Sequence, residues 1–123
     1  MSASTVLLIT GGVLLNALAQ LLLKIGVTPL GPLSVAVDDA LPTTLRVLSQ
    51  WPVLGGLACY VVSVGVWIVA LSRVDVSVAY PMLSLGYVVN ALAAWWLLGE
   101  AVGVLRASGV LLILAGVWLV ARS

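Results

Sequence analysis

Three polar side chains, Asn16, Gln20 and Lys24, follow one another at intervals of four residues in an otherwise apolar stretch. On a helix that spacing puts them in one stripe, which Gly12 extends by a turn. The carboxamides offer donors and acceptors suited to sugar hydroxyls. The ammonium of Lys24 is a compact point charge suited to a phosphate. A second stripe holds Tyr60, Ser63 and Trp67, with Gly56 a turn below. A third holds Ser77, Tyr80, Ser84 and Tyr87, alternately three and four apart, with Asn90 close to the same face. Tyrosine can both stack on a ligand and hydrogen-bond it. The same residues also have plainer uses: Asn, Gln and Ser tie or pack membrane helices together, and a Lys near the surface snorkels. Taken together, the stripes are expected to line a polar groove through Asn16, Gln20, Lys24, Tyr60, Ser63, Trp67, Tyr80, Ser84 and Tyr87.

The elements that carry these stripes follow from composition. Of 123 residues, 63% are hydrophobic and 7% charged, with a mean hydropathy of +1.30. A soluble domain carries roughly 25% charged residues, so this chain cannot clothe a water-soluble globule. The formal net charge of +1 provides no basic surface for a polyanion. With no His and a single Cys, Cys59, a zinc site, a disulfide framework and a Ser-His-Asp or Cys-His centre are all excluded. No cofactor, metal or nucleic-acid partner is expected. The remaining class is an all-α integral membrane protein.

A bilayer core requires about 20 mostly apolar residues per helix. Val6–Leu23, Val53–Ser72, Val76–Gly99 and Ala107–Ala121 are uncharged. The last reaches full length if it starts near Val102, with Arg106 snorkelling from its first turn. Four spans are therefore expected, at about 5–24, 53–72, 76–98 and 102–121, in one up-down bundle. Met1 to Thr5 has no Lys or Arg, so the first span is expected to be a true helix rather than a cleaved leader. Trp51, Trp95 and Trp96 fall at one membrane face and Trp67 and Trp118 toward the other, as interfacial belts do. Gly26 to Pro52 is the one long connection. Pro42-Thr43-Thr44 can open a short helix there, with Leu45 and Leu48 on its apolar side and Arg46 and Gln50 turned away; it is expected to lie at the membrane surface. Asp75 and Glu100 are expected near the starts of the third and fourth helices. Arg73 and Arg122 sit on the side of the termini and Lys24, Arg46 and Arg106 on the other, which is almost no positive-inside bias.

Pro81 lies inside the third span, where it removes a backbone bond and kinks the helix, and Gly86 softens the next turn. The fourth span carries Gly109 and Gly116 one helical repeat apart, a spacing that lets another helix approach. Four short helices have few inward positions, so at least two chains, the same or related, are expected per functional unit. No Asp, Glu or His lies within any span, whereas proton-coupled exporters usually need such a group inside the membrane.

These features resemble the small multidrug resistance family of the drug/metabolite transporter superfamily. Gly109 to Val117 is similar to its dimerisation motif. Ser77-Val78-Ala79-Tyr80-Pro81, Ser84-Leu85-Gly86-Tyr87 and Leu98-Gly99-Glu100 resemble the superfamily's kinked third helix and its closing Leu-Gly-Glu. Asn16 stands where drug-exporting members carry a glutamate. Ala19-Gln20-Leu21 with Lys24, the stretch Gly55 to Leu71 and the long first loop resemble a closer branch, the aminoarabinose-phosphoundecaprenol flippase subunits. That resemblance implies a transporter or flippase subunit rather than an enzyme. It would sit in the bacterial inner membrane and move an undecaprenyl-phosphate-linked sugar through a groove at a dimer interface, with Lys24 and Arg46 meeting the phosphate. The partner would be an identical or related small subunit. Two other readings stand beside it: an exporter of a small metabolite or cationic drug, and a non-transporting accessory subunit of a membrane glycosyltransferase.

Overall fold

The computed structural model describes residues 2–123, and within them every regular element is helical. Helix α1 spans Ala3–Val27, α2 Ala40–Leu48, α3 Trp51–Leu71, α4 Val76–Met82, α5 Leu85–Leu97 and α6 Val104–Arg122; two 3-10 turns, Thr28–Leu30 and Val37–Asp39, precede α2. Four units are long and apolar enough to cross a membrane: α1 with the turn that follows it, α3, α4 continued by α5, and α6. At 1.5 Å per residue, α1 is roughly 37 Å long and α6 roughly 28 Å, against a hydrocarbon core of about 30 Å.

Local chemistry sets the ends. The Ser2 hydroxyl caps α1 by accepting the Thr5 N–H at 3.3 Å. Pro52 stands in the first turn of α3, where its missing N–H has no helical partner to lose. Asp75 stands at the N-cap of α4, though its side chain makes no capping hydrogen bond. Glu100 departs from expectation. Gly99 adopts φ 70° and turns the chain, so that the Glu100 N–H returns to the Ala94 carbonyl at 3.0 Å. The acid therefore closes α5, and α6 opens only after Gly103, with no acid in its first turn. Arg106 is in that first turn and donates to the Ala101 carbonyl at 3.1 Å.

Helices α1 and α3 form the tightest pair. Gly12 faces Val66 and Trp67, while Gly26 faces Val53 and Pro52, so the two run in opposite directions. Two glycines permit the approach. A Cβ on Gly26 would stand 2.9 Å from the Val53 nitrogen, and one on Gly56 2.9 Å from the Ala19 oxygen. The short Ser72–Asp75 connection reverses the chain again, so α4 and α5 run with α1, and Gly86 of α5 lies against Val13. A core of Ile9, Val13, Ala70, Met82 and Val117, flanked by Trp67, Leu83 and Ile113, fills the end of the bundle nearer the termini.

The third span is broken. Pro81 has no N–H, leaving the Ser77 carbonyl without its usual helical donor. The chain then crosses Leu83 and Ser84 in tight turns, Leu83 N to Tyr80 O at 3.0 Å and Ser84 N to Pro81 O at 3.0 Å, before α5 resumes. Helix α6 packs on α4 and α5, and Val117 is its one buried residue.

Candidate functional site

Where the apolar core ends, a cavity of about 590 Å³ opens among α1, α3 and the broken third span. Helix α1 contributes Gly12, Val13, Asn16, Ala17 and Gln20; α3 contributes Tyr60, Ser63, Val64 and Trp67; the third span contributes Tyr80, Leu83, Gly86, Tyr87 and Asn90. Each set recurs at three or four residues, so each helix turns one continuous face to the cavity. Seven of the nine expected groove residues line it: Asn16, Gln20, Tyr60, Ser63, Trp67, Tyr80 and Tyr87. Lys24 and Ser84 are not in its wall. Lys24 is exposed one turn beyond Gln20, toward the long loop.

No lining residue carries a formal charge. The cavity is instead furnished with carboxamides, phenol hydroxyls and an indole, groups that hydrogen-bond and stack. Not all are equally free. The buried Ser63 hydroxyl donates to the Tyr60 carbonyl at 2.7 Å, so its proton is committed to its own helix. Tyr60, Tyr80 and Tyr87 are exposed. Asn90 is the residue whose spacing in the sequence places it close to the same face. It lines the cavity with its carboxamide oxygen buried and without a hydrogen-bond partner among the described residues. Such an orphan costs about 1–3 kcal/mol. Leu83 takes the wall position expected of Ser84. In a continuous helix Ser84 would follow Tyr80 at four residues. The tight turns after Pro81 advance the chain by about 120° per residue rather than 100°, and the face shifts by one.

Arg46 reaches back from α2 to the Leu30 carbonyl at 3.5 Å, which brings it to the end of the molecule where α1 finishes and Lys24 is exposed. On α6, Leu105, Gly109, Leu112, Gly116 and Leu119 are all exposed. They alternate at four and three residues and form one apolar ridge interrupted by glycine. A Cβ on Gly109 or Gly116 would meet nothing within 4 Å. Trp118 lies under Arg122, 4.7 Å from its guanidinium carbon.

No protein-family model and no solved structure matches the chain. Curated relatives do. The chain is 38% identical over 116 residues, 89% of its length and 90% of the relative's, to the probable 4-amino-4-deoxy-L-arabinose-phosphoundecaprenol flippase subunit ArnF of Photorhabdus laumondii. It is 40% identical over 113 residues to the protein of the same name from Sodalis glossinidius, covering 88% of this chain and 83% of that one. A probable ArnE subunit of the same flippase from Pseudomonas aeruginosa is 42% identical over 86 residues, 65% of this chain and 69% of that one. With four apolar spans and this likeness over nearly its whole length, the chain is a multi-pass membrane protein that belongs to the family of 4-amino-4-deoxy-L-arabinose-phosphoundecaprenol flippase subunits, the branch of small multidrug resistance-like proteins that its motifs resemble.

Proposed function

We propose that this protein is a flippase subunit that carries an undecaprenyl-phosphate-linked sugar across the bacterial inner membrane. It acts as a transporter and not as an enzyme. The observation that carries the reading is the cavity: a wall of carboxamides and phenols, without a charge, held between helices that are otherwise apolar. A lipid-linked sugar divides along the same lines. Its hydrocarbon tail stays in lipid, its hydroxyl-rich head enters the cavity, and its phosphate stays at the edge. Asn16, Gln20, Tyr60, Tyr80 and Tyr87 meet the head, with Ser63 and Trp67 shaping the walls. Lys24, joined by Arg46, meets the phosphate.

A single chain leaves the α6 ridge uncovered, and membrane helices associate where small residues let backbones approach. The ridge of Leu105, Gly109, Leu112, Gly116 and Leu119 seats a second small subunit of the same family, and the groove works at that pair. Helix α2 lies at the membrane surface with Leu41, Leu45 and Leu48, all exposed, toward the lipid. The break at Pro81 and Gly86 lets the third span flex as the head passes.

Ligand-dependent thermal stability tests the assignment. The purified protein is heated in mild detergent with undecaprenyl phosphate, with 4-amino-4-deoxy-L-arabinose-phosphoundecaprenol, with ordinary phospholipids, or with a hydrophobic quaternary ammonium drug. A ligand that binds only the folded state adds about 2.7 kcal/mol at 100 times its Kd. Selective stabilisation by the undecaprenyl lipids is expected. Stabilisation by the drug cation alone would return the protein to the exporter class.

A further inference from the structure

Among the described residues, Asn90 is the one cavity residue with a buried side-chain polar atom that lacks a hydrogen-bond partner. Gly86 faces Val13. One turn further along the parallel α5, Asn90 therefore lies level with Asn16 and Ala17, about two turns from Lys24. Its carboxamide oxygen is shielded and unpartnered, while the side chain borders the same cavity as Asn16 and Gln20. A leucine would fill a similar volume there without an orphaned polar atom, so packing alone does not account for a carboxamide. As it stands the shielded oxygen is closed to a ligand in the cavity; turning the amide by half a rotation exchanges it with the nitrogen, so the group can present the cavity with either an acceptor or a donor. A hydrocarbon tail answers neither, and a phosphate oxygen answers only the donor. A sugar hydroxyl answers both.

We propose that Asn90 is a specificity-determining residue that hydrogen-bonds the hydroxyls of the sugar head. It thereby separates the sugar-bearing lipid from the bare undecaprenyl phosphate. This rests on the lipid-linked-sugar reading above. The phosphate is read at Lys24 and the sugar at Asn90, so the two ends of one ligand report on different residues.

The experiment measures the affinities of wild type and Asn90→Leu for two probes, undecaprenyl phosphate and 4-amino-4-deoxy-L-arabinose-phosphoundecaprenol. Wild type is expected to bind the sugar-bearing probe more tightly than the bare one. Asn90→Leu should keep its affinity for undecaprenyl phosphate and lose about threefold to tenfold for the sugar-bearing probe, the worth of one hydrogen bond. Without ligand it should melt no lower than wild type, because an orphaned group has been removed. Asn90→Ser, smaller and still able to donate and accept, should recover part of the preference and serves as the comparison if the leucine variant does not fold. Equal affinity of wild type and Asn90→Leu for the sugar-bearing probe would overturn the assignment and leave the flippase reading intact. An equal loss for both probes with a lower melting point would overturn it in favour of a purely structural role. Failure of wild type to bind either probe would remove the flippase reading itself, and this inference with it.

Discussion

Gly56→Ala is expected to part α1 from α3 and to loosen the cavity with them. An ideal Cβ at this position would stand 2.9 Å from the Ala19 carbonyl oxygen, 3.1 Å from Leu23 Cγ and 3.2 Å from Leu22 Cβ. Even close C–H···O contacts between helices keep about 3.3–3.6 Å, so the backbones must separate by roughly half an ångström at this level. The nearest atom belongs to the main chain, and no rotamer change relieves it. Overpacking of this kind costs about 1–3 kcal/mol, while replacing glycine inside a helix returns up to about 1 kcal/mol. The net loss is up to about 3 kcal/mol, and about 1–3 kcal/mol relative to a variant that shares the glycine gain without the clash. Gly65→Ala is the matched control: it lies on the same helix, and its Cβ would meet nothing within 4 Å, so that variant should be as stable as wild type or more so. The two also differ in function. Ala19 and Leu23 bracket Gln20, and Tyr60 lies one turn beyond Gly56, so only the Gly56 variant widens the cavity and weakens ligand binding. Unfolding in mixed micelles with increasing dodecyl sulfate, followed by the fluorescence of the five tryptophans, measures the difference. Equal stability of the two variants, or a more stable Gly56→Ala, would refute the close approach of α1 and α3.

Other consequences are open to measurement. Lys24→Ala should weaken undecaprenyl phosphate binding by up to about fivefold, the range for a solvent-screened contact. Lys24→Arg should restore most of it, and neither should shift the melting point of the unliganded protein. Tyr80→Phe removes one hydroxyl from the cavity and should cost about 1 kcal/mol, or roughly fivefold in ligand affinity, with stability preserved. Gly109→Leu combined with Gly116→Leu adds bulk where the fold has space, so helical content measured by circular dichroism should stay constant while the dimer fraction in light scattering falls. Pro81→Ala gives the third span a donor for the Ser77 carbonyl; the protein should become no less stable, and lipid transport in vesicles should slow.

The spans were legible because the bilayer imposes a coarse rule, about 20 apolar residues without charge, and nine charged residues in the chain mark the boundaries. The stripes on α1 and α3 were legible because those helices are continuous, so spacing alone assigns Asn16 and Gln20, or Tyr60, Ser63 and Trp67, to one face. The third span resisted the same arithmetic. Periodicity assumes an unbroken helix, and the tight turns after Pro81 put Leu83 rather than Ser84 in the wall, while Tyr87 and Asn90 keep to the face their spacing gives them. Commitment of the Ser63 proton to Tyr60 was invisible for a different reason, since a hydroxyl's partner depends on its rotamer. The sequence places Glu100 at the start of α6, but Gly99 in a left-handed conformation turns the chain so that the acid ends α5 instead. The start of α6 at Val104 rather than near Val102 follows from that turn.

Transbilayer movement of the lipid itself is the decisive observation for a flippase subunit. The protein is reconstituted into vesicles, alone and together with a second small subunit of the family, with 4-amino-4-deoxy-L-arabinose-phosphoundecaprenol confined at first to one leaflet. Protein is expected to accelerate its appearance in the other leaflet, and Lys24→Ala to slow this. Movement no faster than in protein-free vesicles under both conditions would contradict the flippase reading.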